Sequence, residues 1–323
     1  MRILVTGGTG FIGSVVVRQL TRAEHDVTCL LRPTSRTHRI DDLRVRRAPG
    51  DVRDAESLSC AMEGCDAAIH LAAPGSWEDD SGPLLRAVIE GGTRNVLAAA
   101  EQCGLSRVVI VSSTAAVNGS DEPCVFDERA AFAVRDPALH YAHAKHAAEA
   151  HARAAHERGL TVVLVNPAEV YGPGDTALGT AGNLLDFATS TPVLVCRGGT
   201  SVVHVDDVAR GIVAAMERGV SGERYILGGE NLTIRQLADL VLELVGRRPP
   251  IVTVPNALAR ALSRFAIRAR LPMPYNPHVA AYATRYWFVT NTKATRDLGV
   301  RFRDARTTIG DTLAWLRREK YLD

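Results

Sequence analysis

A tyrosine and a lysine four residues apart, Tyr141 and Lys145 in the segment YAHAK, have the side-chain types and spacing that proton transfer needs. A step of four residues places two side chains on one face of a helix, so the phenol and the ammonium can meet. A lysine cation beside a phenol stabilises the phenolate and lowers the pKa of the tyrosine from its ordinary value of about 10. We therefore predict that Tyr141 exchanges a proton with a substrate.

A hydroxyl at the end of a neighbouring strand would complete this site. Thr114 follows the apolar run RVVIVSS, and its hydroxyl would hold a substrate oxygen while Tyr141 moves the proton. Ser112 and Ser113 compete with it for this role, and Ser113 is the stronger competitor. An exposed helix face also produces the YxxxK spacing, so the prediction depends on the surrounding elements.

The N-terminal segment MRILVTGGTGFIG predicts a strand, a glycine-rich turn and a helix in succession. Gly7 permits a tight turn, Gly10 lets the backbone approach a pyrophosphate, and Gly13 lets the helix pack closely on the strand. Phe11 and Ile12 open the helix, whose N-terminal N–H groups would face phosphates. The alternative interpretation is an ordinary glycine-rich turn.

The end of the second predicted strand, DVTCLL, indicates which dinucleotide the turn would hold. Proteins that select NAD carry a carboxylate there, whereas this chain has Arg32, followed by Thr34, Ser35 and Arg36. A guanidinium with neighbouring hydroxyls binds a ribose 2′-phosphate, so the sequence predicts NADP in preference to NAD. The alternative is a solvated basic loop, because further arginines follow.

Later strand ends would contact the rest of this cofactor. Asp51 would face the adenine amino group, and small residues end the fourth strand where a cofactor must pass close. The predicted cofactor contacts are Gly7, Gly10, Phe11, Ile12, Gly13, Arg32, Asp51, Val52, Leu71, Ala72, Ala73, Tyr141, Lys145 and Pro167.

Strands and helices alternate through the first half of the chain, which predicts a parallel sheet with helices on both faces. The predicted fold is α/β, a doubly wound Rossmann sheet with a smaller, discontinuous α+β lobe. Residues 1–165 would form the dinucleotide-binding domain, with residues 201–228 returning to it. Residues 166–200 and 229–323 would form the substrate-binding lobe.

Several segments in this order resemble the extended short-chain dehydrogenase/reductase family, also called the NAD-dependent epimerase/dehydratase family. They are TGGTGFIG, GDVRD, LAA, VSSTAAV, YAHAK, NPAEVYGPGD, VVHVDDVA and NTKATRDLGV. The resemblance implies hydride transfer between nicotinamide and a secondary alcohol or ketone. It also implies that Thr114 supplies the hydroxyl, that Tyr141 is the acid and base, and that Lys145 binds the nicotinamide ribose. The nearest branch contains dihydroflavonol reductases, hydroxysteroid dehydrogenases and hopanoid-associated epimerases.

Three departures from the family pattern bear on the substrate. Members that bind nucleotide sugars carry an asparagine and two arginines where this chain has Glu169, Thr200 and, approximately, Val279. A pyrophosphate would lose three polar partners and meet a carboxylate, so nucleotide sugars rank below other substrates, although Arg197 could compensate. The predicted substrate contacts are Ser113, Thr114, His143, Glu169, Val170, Arg197 and His204.

The predicted function is thus an oxidoreductase acting on a small-molecule alcohol or ketone. One alternative is a sugar or nucleotide-sugar epimerase or dehydratase, in which the same hydride leaves and returns. The other is a non-catalytic NADP-binding sensor, against which the complete set of Thr114, Tyr141 and Lys145 argues.

Composition excludes some other functions. The chain has 323 residues, 46% of them hydrophobic, enough for one large core or two joined ones. A formal net charge of +2 gives no argument for a nucleic-acid partner, which requires a concentrated basic surface. No apolar run approaches the roughly 18 residues that span a bilayer, so no membrane partner is expected.

Cysteine use and the start of the chain predict a location. Six cysteines without metal-like CxxC spacing predict free thiols and a reducing, cytoplasmic environment. We expect no signal peptide, because the first strand begins at Met1. The family resemblance implies a homodimer formed through the helices of residues 83–103 and 137–158.

Two further patterns permit other interpretations. His140, His143 and His146 are spaced three apart, but no carboxylate or cysteine completes a known ligand spacing, so we predict no metal. The basic amphipathic segment 256–274 favours a lid or wall over the substrate, with contact to a membrane surface as the alternative.

Overall fold

The computed structural model describes residues 1–74, 82–269 and 279–323. Its strands are β1 (Arg2–Thr6), β2 (Asp26–Leu31), β3 (Arg46–Pro49), β4 (Ala67–His70), β5 (Arg107–Val111), β6 (Val125–Phe126), β7 (Val162–Pro167), β8 (Glu169–Tyr171), β9 (Val193–Val195), β10 (Gly199–His204), β11 (Arg224–Leu227), β12 (Glu230–Thr233), β13 (Ile251–Thr253) and β14 (Phe288–Val289).

The helices follow in the same order along the chain. They are α1 (Phe11–Arg22), α2 (Ala55–Met62), α3 (Gly82–Leu85), α4 (Gly92–Gln102), α5 (His140–Glu157), α6 (Ala181–Thr189), α7 (Val205–Arg218), α8 (Ile234–Val245), α9 (Asn256–Ala269), α10 (Ala280–Ala283), α11 (Thr292–Leu298) and α12 (Ala305–Arg318). A π-helical segment spans Arg86–Gly91, and a 3-10 turn spans Thr114–Ala116.

Seven parallel strands form the large sheet, in the order β11-β7-β5-β4-β1-β2-β3. Helices cover both of its faces, and Ile3, Leu4 and Val5 of β1 are therefore completely buried. The winding reverses between β1 and β4, and ligands of such sheets bind at the carboxyl ends of the strands at this point. The predicted doubly wound α/β fold is confirmed.

Separate apolar layers hold the helices on the two faces of the large sheet. On one face α1 and α7 pack together, burying Val17 and Ile212 against the strands. On the other face α2, α4 and α5 bury Leu58, Leu97 and Ala155. This packing fixes α5, and with it Tyr141 and Lys145, beside the carboxyl ends of the central strands.

A smaller lobe is built around a second sheet, in the order β12-β10-β8, with β10 antiparallel to β12 and parallel to β8. Its core packs α6, α8 and α12 together through residues such as Leu184, Leu237 and Ile309. Two short parallel pairs, β13 with β9 and β14 with β6, complete its sheets among the described residues.

Two segments depart from the predicted division of the chain. Residues 201–204 belong to β10 and so to the smaller sheet, where β10 pairs with β8 and β12, and the strand beside β7 in the large sheet is β11. The return to the large lobe consists of α7 and β11. In α11, Ala294 and Leu298 pack into the core of the large lobe, although the prediction assigned them to the substrate lobe.

Candidate active site

The turn after β1 is shaped for close approach by a ligand. The N–H of Gly10 donates to the carbonyl of Gly7 over 3.0 Å, and Gly7 has a positive φ of 73°. A Cβ on Gly13 would lie 2.1 Å from the Gly7 oxygen, and one on Gly7 would lie 2.8 Å from the Ala72 nitrogen. Only glycine fits at these two positions.

The helix that follows the turn presents unpaired N–H donors. Within the described residues no side chain caps α1 at Gly10, and its first turn carries no acidic residue. Helix N–H groups and the positive end of the helix dipole are therefore available to an anion. This arrangement suits the pyrophosphate of a dinucleotide.

A single cavity of about 920 Å³ runs from this turn to the tyrosine and lysine of α5. All the predicted cofactor residues line it: Gly7, Gly10, Phe11, Ile12, Gly13, Arg32, Asp51, Val52, Leu71, Ala72, Ala73, Tyr141, Lys145 and Pro167. The structure thus brings together residues from six segments that are far apart in the sequence.

The loop after β2 places basic side chains along one edge of the cavity. Arg32, Ser35, Arg36 and Arg39 all line it, and the Arg32 N–H donates to the Ser35 hydroxyl over 3.0 Å. Arg39 reaches the smaller lobe, where it donates to the Thr176 hydroxyl over 2.6 Å. Burial lowers the pKa of Arg39. This edge therefore combines guanidinium groups with hydroxyls.

Asp51, predicted to face adenine, lies at the same end of the cavity and is already paired. Its carboxylate accepts from the Arg53 guanidinium over 2.7 Å, and this hydrogen bond holds the pKa of Asp51 below its ordinary value. Asp51 is therefore an ionised acceptor at neutral pH, as an amino group on adenine would require.

Tyr141 and Lys145 meet at the inner end of the cavity, as the spacing predicts. The Lys145 Nζ lies 5.7 Å from the centre of the Tyr141 ring and donates to the Val111 carbonyl over 2.8 Å. Lys145 is only 5% exposed, and burial lowers its pKa to about 8. The nearby carboxylate of Glu149 opposes this shift.

The expected fall in the pKa of Tyr141 is not found. Burial raises the pKa of the phenol, because the phenolate loses contact with water, while a hydrogen bond from Ser113 lowers it. The prediction considered only the charge of Lys145 and left out the apolar walls of the site. A phenol with a raised pKa remains protonated at neutral pH and is a proton donor.

The three hydroxyls before α5 have different partners. Ser112 donates to the buried Glu149 carboxylate over 2.6 Å. Ser113 contacts Tyr141 and also accepts from the Ala115 N–H over 3.2 Å. Thr114 lines the cavity, is 6% exposed, and its hydroxyl makes no hydrogen bond to another described residue. Ser113 and Thr114 are thus the two hydroxyls available to a substrate.

Glu149 is a buried carboxylate that the sequence reasoning missed. It is completely buried and accepts from Ser112 and from Asn166, each over 2.6 Å, and it pairs with Arg224. It lies four residues beyond Lys145, so the same helical spacing that singled out Tyr141 and Lys145 would have found it. Glu149 connects α5 to the ends of β5 and β7 and to β11.

The far part of the cavity lies against the smaller lobe. Glu169 and Val170, both predicted substrate contacts, line it, together with Thr200 and Val279. One oxygen of Glu169 accepts from the Tyr171 hydroxyl over 2.8 Å and from the Asn183 amide over 3.0 Å. The positions where this chain departs from its family therefore face the same space.

Three predicted substrate contacts lie outside the cavity. His143 follows Tyr141 by two residues, which turns it to another side of α5, where it contacts the Asp136 carbonyl. Arg197 is exposed and its backbone binds Asn256. His204 ends β10 and accepts from the Asp206 N–H, capping α7. The structure thus does not bring these three residues together with the other predicted substrate contacts.

Other predicted patterns have separate places in the fold. Within the described parts of the chain, no three histidine, cysteine, aspartate or glutamate side chains are placed to hold a metal ion. No helix in the same residues is long and apolar enough to cross a membrane. Residues 256–269 of the amphipathic segment form α9, and Ala259 lines the cavity. Residues 270–274 of that segment lie outside the described residues.

Comparison with known proteins agrees with this geometry. The NAD dependent epimerase/dehydratase family profile matches residues 3–228. The chain is 32% identical to sterol demethylase protein B of Methylococcus capsulatus over 98% of each chain. It is 31% identical to the 4-hydroxy-2-methyl-3-oxo-4-farnesyl-3,4-dihydroquinoline-1-oxide ketoreductase of Stigmatella aurantiaca, over 93% of this chain and 91% of that protein.

A solved structure extends the likeness to the whole fold. The dTDP-glucose 4,6-dehydratase DesIV of Streptomyces venezuelae, crystallised as a double mutant with NAD and DAU bound, superposes with a TM-score of 0.78. It is 26% identical, covering 99% of this chain and 98% of that one. The chain therefore belongs to the NAD dependent epimerase/dehydratase family and is an enzyme of the extended short-chain dehydrogenase/reductase type.

Proposed function

We propose that the protein is an NADP-dependent oxidoreductase that transfers a hydride between nicotinamide and the carbon of a secondary alcohol or ketone. The observation that carries this proposal is the meeting of Tyr141, Lys145, Ser113 and Thr114 at one end of a cavity whose other end is the glycine turn. The large lobe would hold the cofactor, and the smaller lobe would hold most of the substrate.

The side chains divide the proton chemistry between them. When bound, the nicotinamide supplies the hydride in the reductive direction. Thr114 donates a hydrogen bond to the carbonyl oxygen, and Tyr141 gives its phenolic proton to that oxygen as negative charge develops on it. Lys145 binds the ribose hydroxyls, and its charge together with the Ser113 hydroxyl stabilises the phenolate that remains.

A ketone panel tests this function. Purified protein is mixed with NADPH and with cyclic, aryl and terpenoid ketones, and the fall in NADPH absorbance is followed. We expect steady consumption with at least one ketone class. The relatives named for a sterol and for a farnesylated quinoline support the inclusion of lipophilic ketones. Binding of NADPH without consumption or conversion of any compound in the panel would contradict the proposal.

The preference for NADP rests on the basic edge of the cavity. Arg32 and Arg36 carry charge that a 2′-phosphate needs, and Ser35 adds a hydroxyl. We expect Arg32→Asp to weaken NADPH binding by about 10- to 100-fold and to leave NADH binding within about threefold, as measured by fluorescence titration. Arg44→Asp makes the same charge change at an exposed position outside the cavity and is the control. An equal loss in both variants would contradict NADP selection.

An epimerase is the second candidate function, and the family match and the likeness to DesIV favour keeping it. The same four side chains would remove and return a hydride on opposite faces of one carbon. The two functions differ in their net reaction. Net consumption of NADPH identifies a reductase, whereas inversion of a substrate without net consumption identifies an epimerase.

Two further proposals concern assembly and location. We propose a homodimer formed through the helices of residues 83–103 and 137–158, which light scattering tests by mass. All six cysteines are free thiols, which supports a cytoplasmic location that cell fractionation tests.

A further inference from the structure

The wall of the cavity that faces the smaller lobe differs in charge from the rest. Among the described residues, the cations that line the whole cavity are Arg32, Arg36 and Arg39 from the loop after β2, and Lys145 from α5. The wall formed by β8, α6, α8 and α10 contributes none of them. It presents apolar side chains such as Leu237 and Ala280, together with the carboxylates of Glu169 and Asp186.

Glu169 is held in place at the junction between the cofactor and this wall. It follows Pro167, which lines the cofactor part of the cavity, by two residues, and its Cα pairs with Val202 of β10. The Tyr171 hydroxyl and the Asn183 amide both donate to Oε1. The other oxygen, Oε2, accepts no hydrogen bond from the described residues.

The two donors fix the direction of the carboxylate. Tyr171 is completely buried, and burial together with the neighbouring carboxylate raises the pKa of its phenol, so it remains a donor. A carboxylate has about four acceptor positions, and this one uses two of them on one oxygen. Glu169 is half-buried, so Oε2 is accessible from the cavity. A substrate that displaces water from this oxygen must supply a donor in exchange, because an acceptor left unpaired beneath a bound ligand is costly.

We propose that Glu169 determines substrate specificity by accepting a hydrogen bond from a hydroxyl of the substrate. The substrate is then a neutral, mainly apolar ketone or secondary alcohol that carries a second hydroxyl near the reacting carbon. The negative charge of Glu169 disfavours anionic substrates such as nucleotide diphosphate sugars. This inference rests on the proposed function, because it places the reacting carbon beside Tyr141.

Matched ketones separate this role from a structural one. Cyclic and aryl ketones carrying a hydroxyl one, two or three carbons from the carbonyl are compared with their methyl ethers and with the parent ketones. With the wild-type protein we expect kcat/KM for one hydroxyketone to exceed that of its methyl ether by about 100-fold, since sites built for a hydroxyl reject analogues that lack it.

Substitution of the acceptor should remove this preference. Glu169→Leu is expected to lower kcat/KM for the preferred hydroxyketone by about 100-fold and to change the parent ketone by less than about threefold. Asp186→Asn, which alters the more exposed carboxylate of the same wall, is expected to keep the preference. An equal loss on both ketones in Glu169→Leu, or a preference lost only in Asp186→Asn, would overturn the inference.

A binding measurement keeps the two proposals separate. If NADPH binds and no ketone is reduced, the proposed function fails, and the inference is decided by melting temperature. Each hydroxyketone and its methyl ether are added to NADP-loaded wild-type protein and to Glu169→Leu. A rise in melting temperature that is seen only with the hydroxyketone and only in the wild type supports the inference. An equal rise with the methyl ether, or an equal rise in Glu169→Leu, overturns it.

Discussion

The part of the cavity that we propose holds the cofactor (the cofactor part) and the part that we propose holds the substrate (the substrate part) are made from different components of the chain. In the cofactor part the backbone forms the surface: a Cβ on Gly13 would lie 2.1 Å from the Gly7 carbonyl oxygen. In the substrate part, side chains form the surface, among them Glu169, Phe187 and Trp287. The first surface depends on the absence of side chains, and the second depends on their identity.

This difference explains why one fold can serve several substrates. A strand, a glycine turn and a helix present the same N–H groups whatever residues surround them, so the cofactor site is shared by all proteins that keep the turn. The substrate wall changes with every substitution at positions such as Glu169 and Thr200. Family membership therefore fixes the cofactor chemistry, whereas the substrate must be read from individual side chains.

The largest expected effect comes from adding one methyl group to the cofactor part of the cavity, where the backbone forms the surface. Gly13→Ala would force the Gly7 carbonyl to move, and we expect NADPH affinity to fall at least about 100-fold by fluorescence titration. Gly310→Ala is the control, because Gly310 lies in α12 with no heavy atom within 4 Å of its added Cβ. That control should bind NADPH normally and gain up to about 1 kcal/mol of stability. Normal NADPH binding by Gly13→Ala would contradict the claim that the cofactor lies against the backbone of the glycine turn.

The next effect concerns Lys145, where the two parts meet. Its folded-state pKa is about 8 against an ordinary 10.5, so the folded protein bears the cost of a buried charge at pH 7, about 3 kcal/mol. Lys145→Met removes this cost but leaves the Val111 carbonyl without its donor, at about 1 kcal/mol. We expect a net gain of about 2 kcal/mol in unfolding free energy at pH 7, with activity lost.

The sign of the pH dependence makes this prediction specific. Between pH 8 and 10.5 the unfolded wild-type chain binds a proton that the folded chain does not, so wild-type stability rises with pH. The advantage of Lys145→Met in urea denaturation should therefore shrink across this window. Lys320→Met, at an exposed lysine, should follow the wild-type curve. A constant advantage at all pH values would show that the gain comes from packing.

A smaller effect is expected from Glu149, which faces Lys145 from the same helix. Among the described residues, His70 of β4 and Tyr141 also lie near the lysine. Burial of the His70 imidazole, together with the charge of Lys145, lowers the pKa of His70 to about 3. Glu149→Gln removes the anion that raises the pKa of Lys145. The alkaline limb of the reductive pH–rate profile should move down by about one pH unit.

A variant at the surface provides the control for Glu149. Arg153 also pairs with Glu149, over 3.3 Å, but 42% of the Arg153 side chain is exposed. Because solvent screens such a pair, Arg153→Ala should move the alkaline limb of the pH–rate profile only slightly. Glu149→Gln also leaves Arg224 without its partner and should reduce stability, which melting temperature measures separately. A folded Glu149→Gln variant with an unmoved alkaline limb would show that Lys145 does not depend on this carboxylate.

The sequence predicted those features that depend on local order along the chain. The turn from Gly7 to Gly13 and the spacing of Tyr141 and Lys145 are local, so their pattern indicates their geometry directly. Burial is a property of the assembled fold, which is why the raised pKa of Tyr141 was not foreseen. The four-residue step from Lys145 to Glu149 is visible in the sequence, but the partners of Glu149 come from three other segments, so its burial and its contacts were not predicted.

The three predicted substrate contacts that lie outside the cavity show a related limit of local patterns. His143 stands close to Tyr141 in the sequence, but a step of two residues turns it to a different side of the helix. Arg197 precedes β10, and its backbone binds Asn256, which lies 59 residues away along the chain, so no local pattern contains this contact. His204 ends β10, and its side chain caps α7. Glu169, which was aligned within the motif NPAEVYGPGD, lines the cavity.

The central claim is that Tyr141 delivers the proton beside the bound cofactor, and single-turnover oxidation of NADPH tests it most directly. Protein saturated with NADPH is mixed with a reducible ketone, and the first turnover is followed for the wild type and for Tyr141→Phe. We expect equal NADPH binding and a turnover rate lower by about 100- to 10,000-fold in the variant. Equal turnover rates at equal NADPH occupancy would contradict the account.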